Sequence, residues 1–573
     1  MITTKWNFAS GVLNGLTPYM AGQPGYEASL DACENMLIDF RGYLKQRPAI
    51  KHLAYVDDII DATSVVSAMI PYSYQAAGLN IRGMIAIVQN AAKTAWKAVW
   101  SDGSTWTASA SQSGDVSVVG VSSNASSNAI VVLVGSTYSL ITYNGTTVSV
   151  TVQAMTVGTP KRGLITFQGR NIAISGDKTI IGSKVGTPYD WTTGTTASDG
   201  FSITLDMQGT IKNLMPSPKG GIIVYCDDAQ WYLVPGSNGL FAPGSMAAQR
   251  LTLYEIDGEA RSTGTDTLFM ANSTVNKFNY SNDLQAYRAG RIAPTVSGKW
   301  LETFEAGGNY YAAIFDKTGT EKEITILELA EQPRATSIRT GQAISSFCPG
   351  DDGLFIATKY GFGFSLWYGY TPMPVDFYQT QSVAAGATGN GTFTVRQCAT
   401  AAGTYSALAS SIRVFYRSAL HGLRSIPHTW NDGTKTVTFD KAAIINESAA
   451  VDVYVGISFD MLVRTQRLEL AGQQPDGGIT YTIGKLKNAT AVMVVSNAVS
   501  LKGTFTSPTH GNVHDCDKLQ PEGLSPESIH QVHFTMASPF DYETKVQIEM
   551  NSADNADREV VLYGLEITWD HAI

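Results

Sequence analysis

Residues 84–103 read MIAIVQNAAKTAWKAVWSDG, and the reading of this stretch decides the fold. An apolar run (Met84–Val88) is followed by a polar break, a second run carrying aromatics (Lys97–Trp100) and the turn residues Asp102-Gly103. Apolar runs of about five residues bounded by turn signals suit buried strands, whereas a helix needs about twice that length. The same pattern restarts at Ile130 (IVVLV), Asn171 (NIAIS), Ile222 (IIVY), Thr267 (TLFMA), Tyr310 (YYAAIF) and Leu354 (LFIAT), at a mean interval of about 45 residues. Partner runs include SLITY before Asn144-Gly145, QWYLV before Pro235-Gly236, KFNY before Ser281-Asn282 and FSLWY before Gly369. A repeat of this length with four short strands cannot bury both faces of its own sheet, so neighbours must stack. The expected fold is all-β: a β-propeller of six or seven blades over 76–371. A long antiparallel sandwich with fortuitous spacing is the alternative.

Outside that region the rhythm changes. The first 75 residues are expected as an extended arm packing on a C-terminal platform. KTVTF and VDVYVGISF alternate with period 2, which predicts half-buried strands and a small β-domain over 372–455. RLELA, TYTIGKL, AVMVVS, HFTMA, KVQIEM and VVLYGLEITW continue as strands of a β-sandwich-like platform over 456–573. Helix signals are sparse, and Tyr26–Leu37 is the best candidate.

The chain has 573 residues, with 44 % hydrophobic and 16 % charged, the missing charge being replaced by Gly and small polar residues. There is ample apolar surface for packed cores, and whole-chain disorder is excluded. A net charge of −9 excludes a generic basic nucleic-acid binder. The opening MITTKWNFASG lacks an apolar core, so a secretory signal is not expected. The longest apolar runs are far shorter than the ~18 residues of a spanning helix. The five cysteines (Cys33, Cys226, Cys348, Cys398, Cys516) form no CxxC pair and read as free thiols of a protein made in a reducing cytosol.

Candidate chemistry is thin. Trp100-Ser101-Asp102-Gly103-Ser104-Thr105-Trp106 approaches the Asp-box of sialidase propellers, but it occurs once and lacks two spacer residues. A type I′ turn at Asp102-Gly103 explains the same residues. No nucleophile, base and Arg cluster for glycoside hydrolysis can be picked out. His510, His514 and Cys516 could supply zinc ligands, although their spacing fits no standard module. Asn551, Asp554, Asn555 and Asp557 do not match a calcium loop. GxSxG, GxxxxGK[ST] and HExxH are absent. No catalytic residue, metal ligand or cofactor is therefore assigned, and an enzyme is not expected.

The opening segment carries Phe8, Gly11, Tyr26, Asn35 and then Gly42-Tyr43-Leu44-Lys45-Gln46-Arg47-Pro48. In that order these residues resemble the start of tail nozzle proteins of short-tailed bacteriophages, also called tail tubular protein B or DNA-stabilisation proteins. Ala49 stands where the family usually has Gly, so the turn there differs. Ile165–Asn171, Gly182-Ser183-Lys184 and Pro188-Tyr189-Asp190-Trp191 resemble a blade of the same family. Val455–Phe459 with Arg467–Leu470 resembles its post-propeller platform.

The resemblance implies a structural virion protein made in the host cytoplasm. It implies a hexameric ring docked to a tail adaptor, with fibres or spikes nearby and viral DNA passing through the lumen. It also places Phe8, Gly11, Asn35, Gly42, Arg47 and Pro48 at an internal or subunit interface. An acid excess suits such a conduit, because a basic wall would hold phosphates. Two other classes compete: a phage adhesin binding a host glycan through aromatic loops, and a glycan-processing propeller enzyme.

Overall fold

The computed structural model describes residues 2–6, 15–16, 29–38, 43–124, 128–156, 158–217, 219–237, 239–253, 255–263, 266–281, 286–316, 322–330, 333–358, 361–371, 373, 375–396, 410–418, 422–445, 447–466, 469–473, 479–483, 485–496, 502–507, 511–516, 529–537, 545–551 and 561–572. The chain is all-β: among these residues there are two short 3-10 turns and no α-helix. Its contacts divide it into two units, each built from non-consecutive segments. Unit 1 comprises Met1–His52, Lys322–Gly341 and Gly369–Ile573; unit 2 comprises Leu53–Glu321 and Gln342–Tyr368.

Unit 2 is a series of small antiparallel meanders. Sheet 1 runs Val65–Ala76, Leu79–Gln89, Ala95–Ser101, Trp106–Ala108, and sheet 2 runs Val116–Ser122, Ala129–Val134, Thr137–Tyr143, Val148–Gln153. Sheet 3 runs Arg162–Phe167, Arg170–Ile174, Thr179–Gly182, Phe201–Thr204 and is joined to sheet 2 by one parallel pairing, Gly120 with Leu164; sheet 4 runs Ile211–Pro216, Ile222–Cys226, Gln230–Val234, Ala247–Thr252. Sheet 5 runs Ala260–Ser262, Thr267–Ala271, Thr274–Ser281, Ala286–Ser297. Within the unit, sheet 6 supplies Trp300–Ala306 and Asn309–Phe315, and sheet 7 supplies Ile344–Gly350, Gly353–Thr358 and Gly361–Leu366.

All seven repeat starts fall in the second strand of a sheet. Most of each such strand is buried on both faces, as at Ile222–Cys226 and Thr267–Ala271, because each sheet is covered by a neighbour on either side. Sheets 1 and 2 share a core of Ile85, Ile87, Trp100, Ile130 and Ile141. Val131, Ala173 and Trp191 join sheets 2 and 3; Ile172, Ile174, Ile222 and Val224 join 3 and 4; Tyr225, Phe269 and Phe278 join 4 and 5. Arg261 reaches from sheet 5 to Glu302 of sheet 6, and Trp300 and Phe315 of sheet 6 pack on Phe347 of sheet 7. Sheet 7 then packs on sheet 1 through Phe355, Phe362, Met84 and Val88.

Unit 1 interleaves distant segments. Ser29–Glu34 is antiparallel to Asp460–Thr465 on one side; on the other it is parallel to Gly15–Leu16 and, at Glu34, to Arg334–Arg339. Asp460–Thr465 continues into Lys545–Asn551, Lys502–Ser507 and Gly511–Cys516. A second sheet centres on Val561–Ala572, flanked by Ile2–Trp6 and Leu44–Gln46 on one side and Lys485–Ser496 on the other. A third core lies between Val375–Val383, Val451–Ser458, Ile412–Ser418 and the small sheet Asn390–Thr394, Thr436–Asp440, His428–Asn431.

Two local expectations are corrected. Where described, the Tyr26–Leu37 segment is strand, Ser29–Glu34 and Met36–Ile38, broken at Asn35 by a φ of +59°. A helix of about three turns is marginal alone, and here strands on both sides capture the backbone, with Asn35 N donating to Ser337 O at 2.8 Å. Asp102-Gly103 is not a two-residue type I′ turn. Ser101 pairs with Trp106, leaving a four-residue loop in which only Gly103 has positive φ. Asp102 Oδ1 closes that loop by accepting from Ser104 N and Thr105 N at 2.8 and 2.9 Å.

Candidate functional site

Of the six residues implied at an interface, Phe8, Gly11 and Gly42 lie outside the described residues. Asn35, Arg47 and Pro48 are brought together in unit 1. Arg47 has no exposed surface, and its guanidinium uses all five donors. Nη1 and Nη2 fork onto Asp376 at 2.8 and 2.5 Å, and Nε donates to Asn35 Oδ1 at 2.8 Å. The remaining hydrogens go to Pro48 O at 2.9 Å and Arg339 O at 3.4 Å. The Phe459 ring stacks on the guanidinium at 4.1 Å. Asn35 extends the node, donating from Nδ2 to Asp460 O at 2.6 Å. A buried pair is tolerable only when so fully hydrogen-bonded. The node joins four stretches of chain. Phe459 closes the platform motif read from sequence, whereas Asp376 was not singled out, since nothing local marks a carboxylate 329 residues away as a partner.

The second set of motif residues forms a node of its own in unit 2. Arg170, 1 % exposed, donates to Ser183 O at 2.7 Å, Asp199 O at 2.6 Å and Ala197 O. Asn171 donates from Nδ2 to Ser122 Oγ at 2.9 Å and Pro188 O at 3.0 Å. Asp190 accepts from Thr192 N at 3.0 Å and Thr156 Oγ1 at 2.9 Å and pairs with Lys184 at 3.1 Å. Those bonds hold the Asp190 carboxyl well below the usual range. Trp191 is buried beneath them. Both nodes are structural in character: Arg47 holds a carboxylate, an amide and two backbone carbonyls, and Arg170 holds backbone carbonyls.

A third arrangement follows from the meanders. In every antiparallel sheet the first-to-second turn and the end of the third strand share one end. In unit 2 these ends are tied to one another. Asn128 Nδ2 donates to Ser73 O at 3.1 Å (sheets 2 and 1), and Ser123 N to Thr166 Oγ1 at 2.9 Å (2 and 3). Gln168 Nε2 donates to Gly239 O at 2.9 Å (3 and 4), and Lys219 lies 4.3 Å over the Tyr280 ring (4 and 5). Thr303 Oγ1 donates to Ser262 O at 2.8 Å (6 and 5), and Gly307 N to Asp352 Oδ1 at 2.9 Å (6 and 7). The loop at Gly103 lies directly on the Phe364 ring, linking sheet 1 back to sheet 7.

Exposed aromatics concentrate at this end in sheets 6, 7 and 1: Tyr310 at 43 %, Tyr368 at 62 % and Trp106 at 40 %. Gly307 (φ +57°) lies against Tyr368, where a Cβ would meet the ring at 2.2 Å. Trp106 was read only within the Asp-box-like segment, and Tyr310 and Tyr368 only as strand residues; the available signal is an aromatic beside a glycine turn, as in Gly307-Gly308-Asn309-Tyr310 and Tyr368-Gly369.

No group of three or more His, Cys, Asp or Glu side chains suited to a metal occurs among the described residues. His510 lies outside them, as do Asp554, Asn555 and Asp557. His514 and Cys516 fall on the strand Gly511–Cys516. Cys33, Cys226 and Cys348 are buried free thiols. Among the described residues no helix is long and apolar enough to cross a membrane.

No family model and no curated protein matches the chain. Among solved structures, it is similar to a functionally unknown protein from Desulfotomaculum acetoxidans, at 10 % identity and TM-score 0.33, covering 48 % of this chain and 89 % of that one. Saccharomyces cerevisiae Sqt1 is similar at 10 % identity and TM-score 0.34, covering 56 % of this chain and 99 % of that one. PorZ, a surface component of the type-IX secretion system of Porphyromonas gingivalis, is similar at 11 % identity and TM-score 0.32, covering 73 % of this chain and 52 % of that one.

Proposed function

We propose that this chain is a structural virion component, the tail nozzle of a short-tailed phage, and that unit 2 is its β-propeller of seven blades. The propeller reading is supported by five four-stranded meanders, a hairpin and a three-stranded meander packed one against the next in sequence, the seventh against the first, with turn ends linked sheet to sheet. The observation that carries the nozzle reading is the place of the motif residues. Arg47 and Pro48 within unit 1, and Arg170, Asn171, Ser183 and Trp191 within unit 2, are buried rather than scattered over the surface. In this reading six copies form a ring below a tail adaptor, fibres or spikes attach nearby, and DNA passes through a lumen that does not bind it specifically. The chain has no reaction to perform. Electron-microscopy class averages of the purified full-length protein, alone and with the adaptor, test it. Six-fold rings are expected; single particles under both conditions overturn it.

A further inference from the structure

We propose that the aromatic end of sheets 6, 7 and 1 receives a second copy of this chain, which meets it with the Arg288–Arg291 stretch of sheet 5. The inference rests on the ring reading above and names the surfaces that would close the ring. The receiving surface has Tyr310, Tyr368 and Leu366 exposed beside Trp106. Its border is acidic. Glu305 is exposed and lies across the strand pair from Tyr310, and Asp351 is exposed beside Tyr368's sheet. The nearby cation is Arg82, whose contact with Asp351 at 3.9 Å leaves both side chains more than 60 % exposed. A pair so solvated contributes little and is readily exchanged.

The incoming surface has the complementary chemistry. Among the described residues Ala286–Ser297 is the outermost strand of sheet 5, paired with Thr274–Ser281 alone. Arg288 and Arg291 are exposed on it and have no acidic partner among the described residues. Arginine both stacks on Tyr and Trp faces and forks onto carboxylates, and the two side chains leave opposite faces of the strand, so they straddle its outer edge. Aromatic residues and Arg are also the types enriched in the cores of protein interfaces. Contact between two unlike surfaces of one chain is heterologous, and heterologous contacts generate rings when the rotation closes. Two receiving ends facing each other would instead oppose carboxylates.

The test uses native mass spectrometry and sedimentation of the full-length chain, with adaptor where the chain alone does not assemble. One variant carries Tyr310→Ala and Tyr368→Ala, the other Arg288→Glu and Arg291→Glu; circular dichroism and melting check that each remains folded. Exposed single changes, Asp351→Lys and Arg288→Ala, replace any variant that does not fold. Each variant alone is expected to lose the ring and run as a monomer. An equimolar mixture of the two is expected to stop at a dimer, because one intact receiving end meets one intact strand edge. Rings retained by either variant, or no dimer in the mixture, overturn this pairing while the ring reading stands. A wild-type chain that is monomeric with and without adaptor overturns both.

Discussion

At the scale of single residues, the strongest dependence falls on Arg47. Replacing it by Ala leaves Asp376 buried without its cation, a loss of about 3–5 kcal/mol for a broken buried pair. Because every contact of Arg47 lies in unit 1, hydrogen-exchange protection should drop in 29–50 and 375–383 and persist in the strands of unit 2. Replacing both partners, Arg47→Met with Asp376→Asn, should cost less than Arg47→Ala alone. The buried thiols give a second expectation. Burial pushes the Cys33 thiol up to about 12 and raises Cys226 and Cys348 as well. A folded value above the unfolded one, about 8.5, means stability is complete below the unfolded value and is lost as pH rises through the folded one. The melting temperature should therefore fall between about pH 9 and 11, and peptide mapping should find these three thiols alkylated at pH 8 only after denaturation.

At the scale of elements, the segment 183–200 of sheet 3 depends on carbonyl groups gathered by one guanidinium. Arg170→Ala removes donors to Ser183, Asp199 and Ala197 and leaves those oxygens to water or to no partner. Limited proteolysis should then cut within 192–199 while the neighbouring strands stay protected; an unchanged digestion pattern would refute the role given to Arg170. Acid should act on the same segment. The depressed Asp190 carboxyl contributes above its unfolded value and loses that contribution as pH falls through the folded one. Loosening near Thr192 is thus expected only well below pH 4. The helix expected at Tyr26–Leu37 failed for a related reason. Its Leu30, Cys33 and Leu37 spacing fits a helical face, but Gly15–Leu16 and two strands more than 300 residues away pair with the backbone instead.

At the scale of the whole molecule, charge gives the clearest expectation. With nine more acids than bases, the purified chain has few counterions to release from DNA. Fluorescence anisotropy at ~150 mM salt, where screening acts over about 8 Å, should detect no sub-micromolar binding to duplex DNA. Tight binding with a steep salt slope would replace a repulsive lumen with a gripping one.

What the sequence by itself determined is the strand content and the repeat. Each repeat start marks a second strand, most of which is buried on both faces and hence written as an unbroken apolar run, as at Ile130–Val132 and Ile222–Cys226. Burial on both faces is a local compositional demand, so it is legible in one dimension. The motif residues Arg47 and Arg170 were legible as types that need partners, but their partners were not. Asp376 is supplied by a chain that returns after the whole of unit 2, and Lys322–Gly341 leaves that unit to join unit 1 and return. The exposed aromatics were decided by tertiary structure as well. Tyr310 and Tyr225 sit in equivalent second strands, and neighbouring sheets cover one and leave the other in solvent. Partner choice and exposure depend on which distant segments arrive, and no local pattern encodes that.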